Sequence, residues 1–240
     1  MWKRRYVFSL VLTGIAALTV FLTASGNTMN RREVSAHEQV RELVLSPGDD
    51  IQKALDTLED GGKIVFNAGT YDTLEAIVLS NRKNLVLEGN GEVWINTKGI
   101  DHHVITFNEC KSITMSNIKA QHVILEEGDN DPIEDARDGA VVGIIGGSSI
   151  SLVNCELVGC GIYGVYAYSA SPLLLEGCYL HQNAKSAVLF VTGANPMHTV
   201  IRDCIMTQNA GSIEVQGDVA VKLEGDNLIE RNSPGDYENP

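Results

Sequence analysis

The chain has 240 residues, 44% of them hydrophobic and 20% charged, enough to bury one core in a single domain. Its formal net charge of −13 argues against nucleic acid as a partner, because such binding depends on Lys and Arg neutralising phosphates. Aromatic residues make up 6% while glycine occurs 23 times, a composition suited to stacked layers of small and β-branched side chains.

At the N-terminus, Lys3, Arg4 and Arg5 precede an apolar run from Tyr6 to Leu22, which gives way to the polar "TASGNT". Basic, then apolar, then small is the order of a secretory signal. The run is long for a cleaved peptide and short for a relaxed bilayer span, so residues 1–26 read as a signal peptide or an N-terminal membrane anchor. Membrane contact would then run through residues 6–22 if they are not cleaved. Either reading places the remainder outside the cytoplasm and removes no acid from it. Residues 27–43, "NTMNRREVSAHEQVREL", read as a polar linker.

The folded body is expected over residues 44–232. It opens with Ile51, Ala54, Leu55 and Leu58 at i, i+3, i+4 and i+7, an amphipathic helix that Asp49 or Asp50 can cap. Short alternating strands then recur. "SISLVNCELVGCGIYGVYAYSASP" (149–172), "LLLEGCYLHQNAKSAVLFVTGANP" (173–196) and "TVIRDCIMTQNAGSIEVQGD" (199–218) align, each carrying a strand that ends at a Cys, a short apolar pair, a turn and a second strand.

Reading down the aligned copies gives columns. One holds Leu85, Ile113, Ile150, Leu173, Thr199 and Val221, and the next Leu87, Met115, Leu152, Leu175, Ile201 and Leu223. A third runs Ile118, Cys155, Cys178 and Cys204. In the second strand, Ile105, Val142, Val165, Val188 and Ile213 stand beside Phe107, Ile144, Ala167, Phe190 and Val215. Period-2 alternation turns each column to one side, so successive coils stack like on like. A repeat of this length with strands and no helical pattern indicates a solenoid of parallel strands. Cys160, Asn183 and Asn209 fall at equivalent turns, where stacked Asn side chains can bridge coils and Asn favours the αL backbone. One coil carries the acidic insertion "EEGDNDPIEDARDG" (126–139).

The stretch "IQKALDTLEDGGKIVFNAGTY" (51–71) resembles the N-terminal opening of pectate-lyase-like right-handed parallel β-helix proteins, with a capping helix, a Gly-rich turn and an "AGTY"-type strand end. The resemblance implies an all-β fold, a right-handed parallel β-helix of about six or seven coils, with a short N-terminal capping α-helix. It also implies that loops leading into the second strand line a polysaccharide groove, and that Ca²⁺-holding acids sit there. The catalytic motifs of the family are not matched. The corresponding acids would be Asp129, Asp131, Asp135 and Asp138, whose oxygens suit Ca²⁺; a solvated charged loop is the other reading of the same residues. The outward face of the second strand should present Tyr166, Tyr168, Glu214 and Gln216. The tyrosines suit either stacking on a sugar ring or packing under the acidic loop.

Five cysteines in an exported chain leave at least one unpaired within the chain. Cys155, Cys178 and Cys204 are expected as a packed inward ladder rather than a reactive site, because an apolar thiol lacks a thiolate-stabilising environment. His181, three residues after Cys178, should face elsewhere. Residues 233–240 form an acidic tail, and no second cap is visible, which exposes the C-terminal coil to self-association. Two classes of function follow: binding or modification of a polysaccharide or cell-surface glycan on the outer strand face, or a non-catalytic envelope scaffold that docks a protein at the solenoid edge.

Overall fold

The computed structural model describes residues 41–98, 102–123, 139–159 and 162–233. The export segment, most of the linker, Cys160, the acidic insertion 126–138 and most of the tail lie outside the described residues. The chain enters through β1 (Glu42–Leu45), whose first two residues are the end of the segment read as linker, and α1 (Ile51–Thr57). The first two coils follow as β2 (Lys63–Thr73), β3 (Ile77–Ser80), β4 (Lys83–Thr97) and β5 (Ile105–Asn108). Three strands per coil then become regular: β6 (Lys111–Ser116), β7 (Lys119–His122) and β8 (Val142–Ile145); β9 (Ser148–Val153), β10 (Glu156–Val158) and β11 (Tyr163–Tyr168); β12 (Leu173–Glu176), β13 (Tyr179–His181) and β14 (Ser186–Val191). The last coils are β15 (Met197–Arg202), β16 (Ile205–Thr207), β17 (Gly211–Gln216), β18 (Val219–Glu224) and β19 (Leu228–Glu230).

Every pairing is parallel and joins a strand to its counterpart one coil away. One sheet of thirteen strands bends through β4, so that β18-β15-β12-β9-β6 form one side of the bend and β7-β10-β13-β16-β19 the other. A second sheet of six strands, β17-β14-β11-β8-β5-β3, closes the cross-section. The register reproduces the sequence columns: Leu173 pairs with Ile150 and Thr199, and Val165 with Val142 and Val188. Side chains of these columns fill a continuous core in which Leu87, Met115, Leu152, Phe107 and Phe190 have almost no exposure.

The N-terminal end is sealed by α1. Asp50 caps it by accepting from the Lys53 amide at 3.0 Å, and Ile51, Leu55 and Leu58 are buried against the first coil. Gln52 completes the seal. Its side chain donates to Val78 O at 3.0 Å and accepts from Val78 N at 2.8 Å, the pattern of a neighbouring strand, so one edge residue of β3 is paired without a strand beside it. Arg82 donates to the carbonyls of Leu55 and Leu58 and so occupies acceptors left open at the helix C-terminus. At the other end, apolar side chains of the last coils stand exposed among the described residues, including Val215 at 50% and Leu223 at 52%.

The corners carry two ladders. Asn183 Nδ2 and N both donate to Asn209 Oδ1, at 2.8 and 3.0 Å, and Asn209 repeats the pattern on Asn232 Oδ1 at 2.8 and 3.2 Å. The left-handed backbone expected of these asparagines falls instead on the residue before each, Gln182, Gln208 and Arg231. That preceding twist turns the Asn side chain inward, where it can stack. The cysteine column plays a similar part at the opposite corner. Cys178 N donates to Cys204 Sγ at 3.4 Å, as Cys204 N donates to Asn227 Oδ1 at 2.9 Å, and the thiol of Cys178 in turn donates to Leu152 O at 3.3 Å. The thiols of Cys110, Cys155, Cys178 and Cys204 are free and buried.

Removing the Asn209 side chain leaves the buried Asn183 N–H without its acceptor and Asn183 Nδ2 with His181 O alone, and takes away the bonds that Asn209 Nδ2 makes, so Asn209→Ala should cost about 3 kcal/mol in urea unfolding. Asn209→Cys should recover part of that loss, because a thiol already accepts from the same kind of amide at Cys204. Equal instability of the two variants would show that the ladder bond is not what matters there.

Candidate functional site

The outer face of the six-stranded sheet is built from residues that alternate with the core columns. Thr106, Gly143, Tyr166, Leu189 and Glu214 form one outward column, and Asn108, Ile145, Tyr168, Val191 and Gln216 the next. Tyr166, Tyr168, Glu214 and Gln216 thus share one face in two adjacent columns. Tyr168, Glu214 and Gln216 are exposed, while Tyr166 is half-buried.

Tyr166 is covered by His103, which reaches over the sheet from the turn before β5. The opening is made by Gly143. A Cβ there would lie 2.1 Å from the His103 ring, so a side chain at this position would displace the imidazole. The rings of His103 and Tyr166 stack with centroids 6.0 Å apart and planes 21° apart, and Tyr163 stands 6.5 Å from Tyr166. Lys185 Nζ lies 6.0 Å over the Tyr163 ring. The cluster therefore spans successive coils, from His103 through the two β11 tyrosines, which lie side by side along one strand, to Lys185, and Glu214 lies one coil farther along, its carboxylate accepting from the Ser186 hydroxyl. Burial, and then the Glu214 charge, holds the Tyr163 phenol above its usual range.

The histidine is fixed in one tautomer. Ala140 N donates to His103 Nδ1 at 2.9 Å, so the ring proton sits on Nε2. Burial, with the neighbouring His102, lowers the His103 pKa, which keeps the ring neutral near pH 7. It therefore offers a hydrogen-bond donor to the face rather than a free base. A tyrosine platform, a fixed N–H, one ammonium and one carboxylate form a surface suited to holding hydroxylated rings.

The description "Right handed beta helix region" matches residues 67–228, two thirds of the chain. The chain belongs to the right-handed β-helix family. No curated protein matches the sequence. Among solved structures, this right-handed β-helix is similar to the catalytic domain of a GH87 α-1,3-glucanase in complex with nigerose, at 12% identity and a TM-score of 0.50, over 86% of this chain and 40% of that one. It is also similar to a pectin methylesterase in complex with a hexasaccharide, at 12% identity and a TM-score of 0.46, over 74% of this chain and 62% of that one. The chain thus spans less than two thirds of either, and likeness at this identity establishes fold alone.

The proposed Ca²⁺ ligands Asp129, Asp131, Asp135 and Asp138 lie outside the described residues. Their loop is rooted beside the histidines of the β-helix. Val123 N donates to Thr97 O at 2.8 Å on one side, and on the other a Cβ at Gly139 would lie 1.9 Å from His102 O. Among the described residues no group of three or more His, Cys, Asp or Glu side chains is placed to hold a metal ion.

Sequence reasoning found the tyrosine and glutamate columns but not His103, Tyr163, Lys185 or Ser186. Two signals were available. Gly143 interrupts an outward column of larger residues, and His122 follows the His102–His103 pair by nearly one coil. His122 continues the column Thr73–Thr97, whose hydroxyls lie 2.9 Å apart, and its Nε2 donates to His102 O at 2.8 Å.

His122 is buried and its Nδ1 has no hydrogen-bond partner among the described residues. Burial lowers its pKa from 6.5 to about 4, so the folded state binds its proton less readily than the unfolded chain does. Stability tied to this group is complete above pH 6.5 and is lost as pH falls from there towards 4, by roughly 3 kcal/mol in all. His122→Gln keeps a donor for His102 O without titrating, and its unfolding free energy should lack that part of the acid decline. Parallel pH profiles for the two proteins would refute the assignment.

Proposed function

We propose that this protein binds a polysaccharide along the outer face of its six-stranded sheet, outside the cytoplasm. The observation that carries the reading is the cluster of His103, Tyr166, Tyr163 and Lys185, drawn from successive coils on this face, with Glu214 one coil beyond Lys185. A linear polymer crossing the coils here would meet the His103 N–H, the β11 tyrosine pair and the Lys185 ammonium. Likeness of fold to an α-1,3-glucanase domain solved with nigerose supports the ligand class by analogy. The net charge of −13 opposes a polyuronate unless Ca²⁺ bridges the two, and so favours a neutral polymer.

Binding is favoured over turnover on the described strands of this face. Glu214 is the carboxylate there, its Oε1 is engaged by Ser186, and His103 presents a proton rather than a lone pair. Hydrolysis of a glycosidic bond calls for a pair of carboxyl groups in acid and base roles. Export through residues 1–26 belongs to the same proposal, with the folded body either released or held at the membrane by residues 6–22.

A glycan array followed by calorimetry on residues 27–240 tests the reading. Tyr166→Ala should weaken binding of the best neutral polymer about tenfold, as expected for a lost stacking platform. The exposed apolar side chains of the last coils favour one other reading, a scaffold that associates through its C-terminal edge. Silence on every polymer, together with a concentration-dependent dimer abolished by Leu223→Lys, would select the scaffold.

Ca²⁺ held by Asp129, Asp131, Asp135 and Asp138 is the remaining part of the proposal. The ion should then raise the Tm by mass action, and the double variant Asp131→Ala, Asp135→Ala should lose that rise. An unchanged Tm in wild-type protein would dismiss the metal.

A further inference from the structure

A second groove runs along the axis where the thirteen-stranded sheet bends, away from the face just described. It encloses about 300 Å³. One wall is the corner column Asn117, Asn154 and Gly177, and the other is the outward column Lys119, Glu156 and Tyr179, with Val93 and Cys155 at its floor. The groove exists because the corner ladder is interrupted. Asn154 Nδ2 lies 3.4 Å from Asn117 Oδ1, but the next position is Gly177, where a Cβ would lie 2.3 Å from Asn154 Oδ1. The amide column therefore stops at Asn154, and space opens in front of Tyr179.

The opposite wall is a network of ion pairs and rings. Lys119 Nζ lies 3.2 Å from Glu92 and 3.1 Å from Glu156, and 4.9 Å over the Trp94 ring. The second oxygen of Glu156 lies 3.1 Å from His181 Nε2, and the His181 ring stacks on Tyr179 at 4.0 Å. One face of the tyrosine is thus occupied, and the ring is fixed at the end of the groove. None of these residues is used by the strand-face site.

We infer that this groove is a second binding site, for a neutral oligosaccharide lying along the solenoid axis. The chemistry restricts the ligand in three ways. Two acids to one lysine, in a chain of net charge −13, repel an anion. The amides, carboxylate and ammonium would be left unpaired by an apolar ligand, at a cost in desolvation. Asn117 and Asn154 stand one coil apart, about 4.8 Å, close to the advance of one pyranose in an extended chain, so two neighbouring sugars can each meet an amide while the other wall presents Lys119, Glu156 and Tyr179 in turn. Vicinal hydroxyls match the donor and acceptor of an Asn amide, and a sugar ring packs against Tyr179. The inference stands whether or not the strand face binds a glycan.

Trp94 reports on this groove directly, because its Nε1–H donates to Glu92 at 3.2 Å and its ring carries Lys119. The full-length chain, labelled with ¹⁵N, is titrated with cellohexaose, maltohexaose, laminarihexaose and an α-1,3-linked glucan oligomer, and the Trp94 indole and Asn154 side-chain resonances are followed. At least one neutral oligomer should shift both sets saturably. Asn154→Ala should weaken that binding about tenfold, the loss of a paired amide. The shift should persist in Tyr166→Ala, which separates this groove from the strand face. Tyr179→Phe should retain the binding, guarding against a variant that merely unfolds. Resonances unmoved by every neutral oligomer in the wild type, a response to oligouronates alone, or binding indifferent to Asn154→Ala would each overturn the inference.

Discussion

Each coil of a parallel solenoid sets a backbone position about 4.8 Å from its counterpart, so an inward side chain meets its own column rather than a chosen partner. Apolar columns satisfy that constraint easily. Buried polar positions do not, because a side chain that only donates or only accepts leaves one group unpaired at every step. Asparagine meets the condition with an amide that does both, and the Asn183–Asn209–Asn232 ladder is the result. Cysteine meets it more weakly: the sulfur of Cys204 accepts from an amide of the preceding coil, and the thiol of Cys178 donates to a carbonyl of the coil before its own. The run Ile118, Cys155, Cys178, Cys204, Asn227 is accordingly one column that passes from apolar to thiol to amide. The hydrogen bond with Cys155, aided by burial, pushes the Cys178 thiol up to about 12, and this keeps it protonated and able to donate.

The same constraint explains where chemistry can sit. A regular column gives a uniform surface, and a pocket requires the repeat to break. Gly143 breaks an outward column and admits the His103 ring over Tyr166; Gly177 breaks the corner ladder and opens a groove at Asn154. At Gly177 the φ of +62° suits glycine on its own account, whereas Gly143 has no such backbone demand and is set by the ring above it. Glycine thus acts twice as an absence that other side chains fill or a ligand can enter. The acidic insertion, too, departs from the repeat beside these histidines.

This division also accounts for what could be read from the chain alone. The strand columns were legible because period 2 is preserved from coil to coil, and the pairings Leu87–Met115–Leu152–Leu175–Ile201–Leu223 follow it without a slip. So were Tyr166 and Glu214, which sit within that register. His103 and Lys185 were not, because a turn residue reaches a neighbouring coil by a path that no period describes, and Tyr163, the first residue of β11, joins the site only through them. The asparagine turns were half legible: the stacking was readable, but the backbone twist that permits it belongs to Gln182 and Gln208.

Outward columns obey the stacking rule with charge instead of hydrogen bonds. Identical ions at coil spacing would repel, and in two columns the charges alternate: Arg202 stands between Glu176 and Glu224 at 3.2 and 2.6 Å, and Lys119 stacks on Glu156. Exposed pairs of this kind add little stability each, so their main effect is to avoid like charges in one column. The six-stranded face takes the other course and carries Tyr166, Leu189, Tyr168 and Val191 between its few ions. A column that has already paired its charges has little attraction left for a charged ligand, and a column of rings and aliphatic groups has none to offer. On the readings proposed above, both surfaces therefore suit ligands that are polar without being ionic, and that property of the stack, more than any single side chain, is the reason for proposing neutral sugars over uronates.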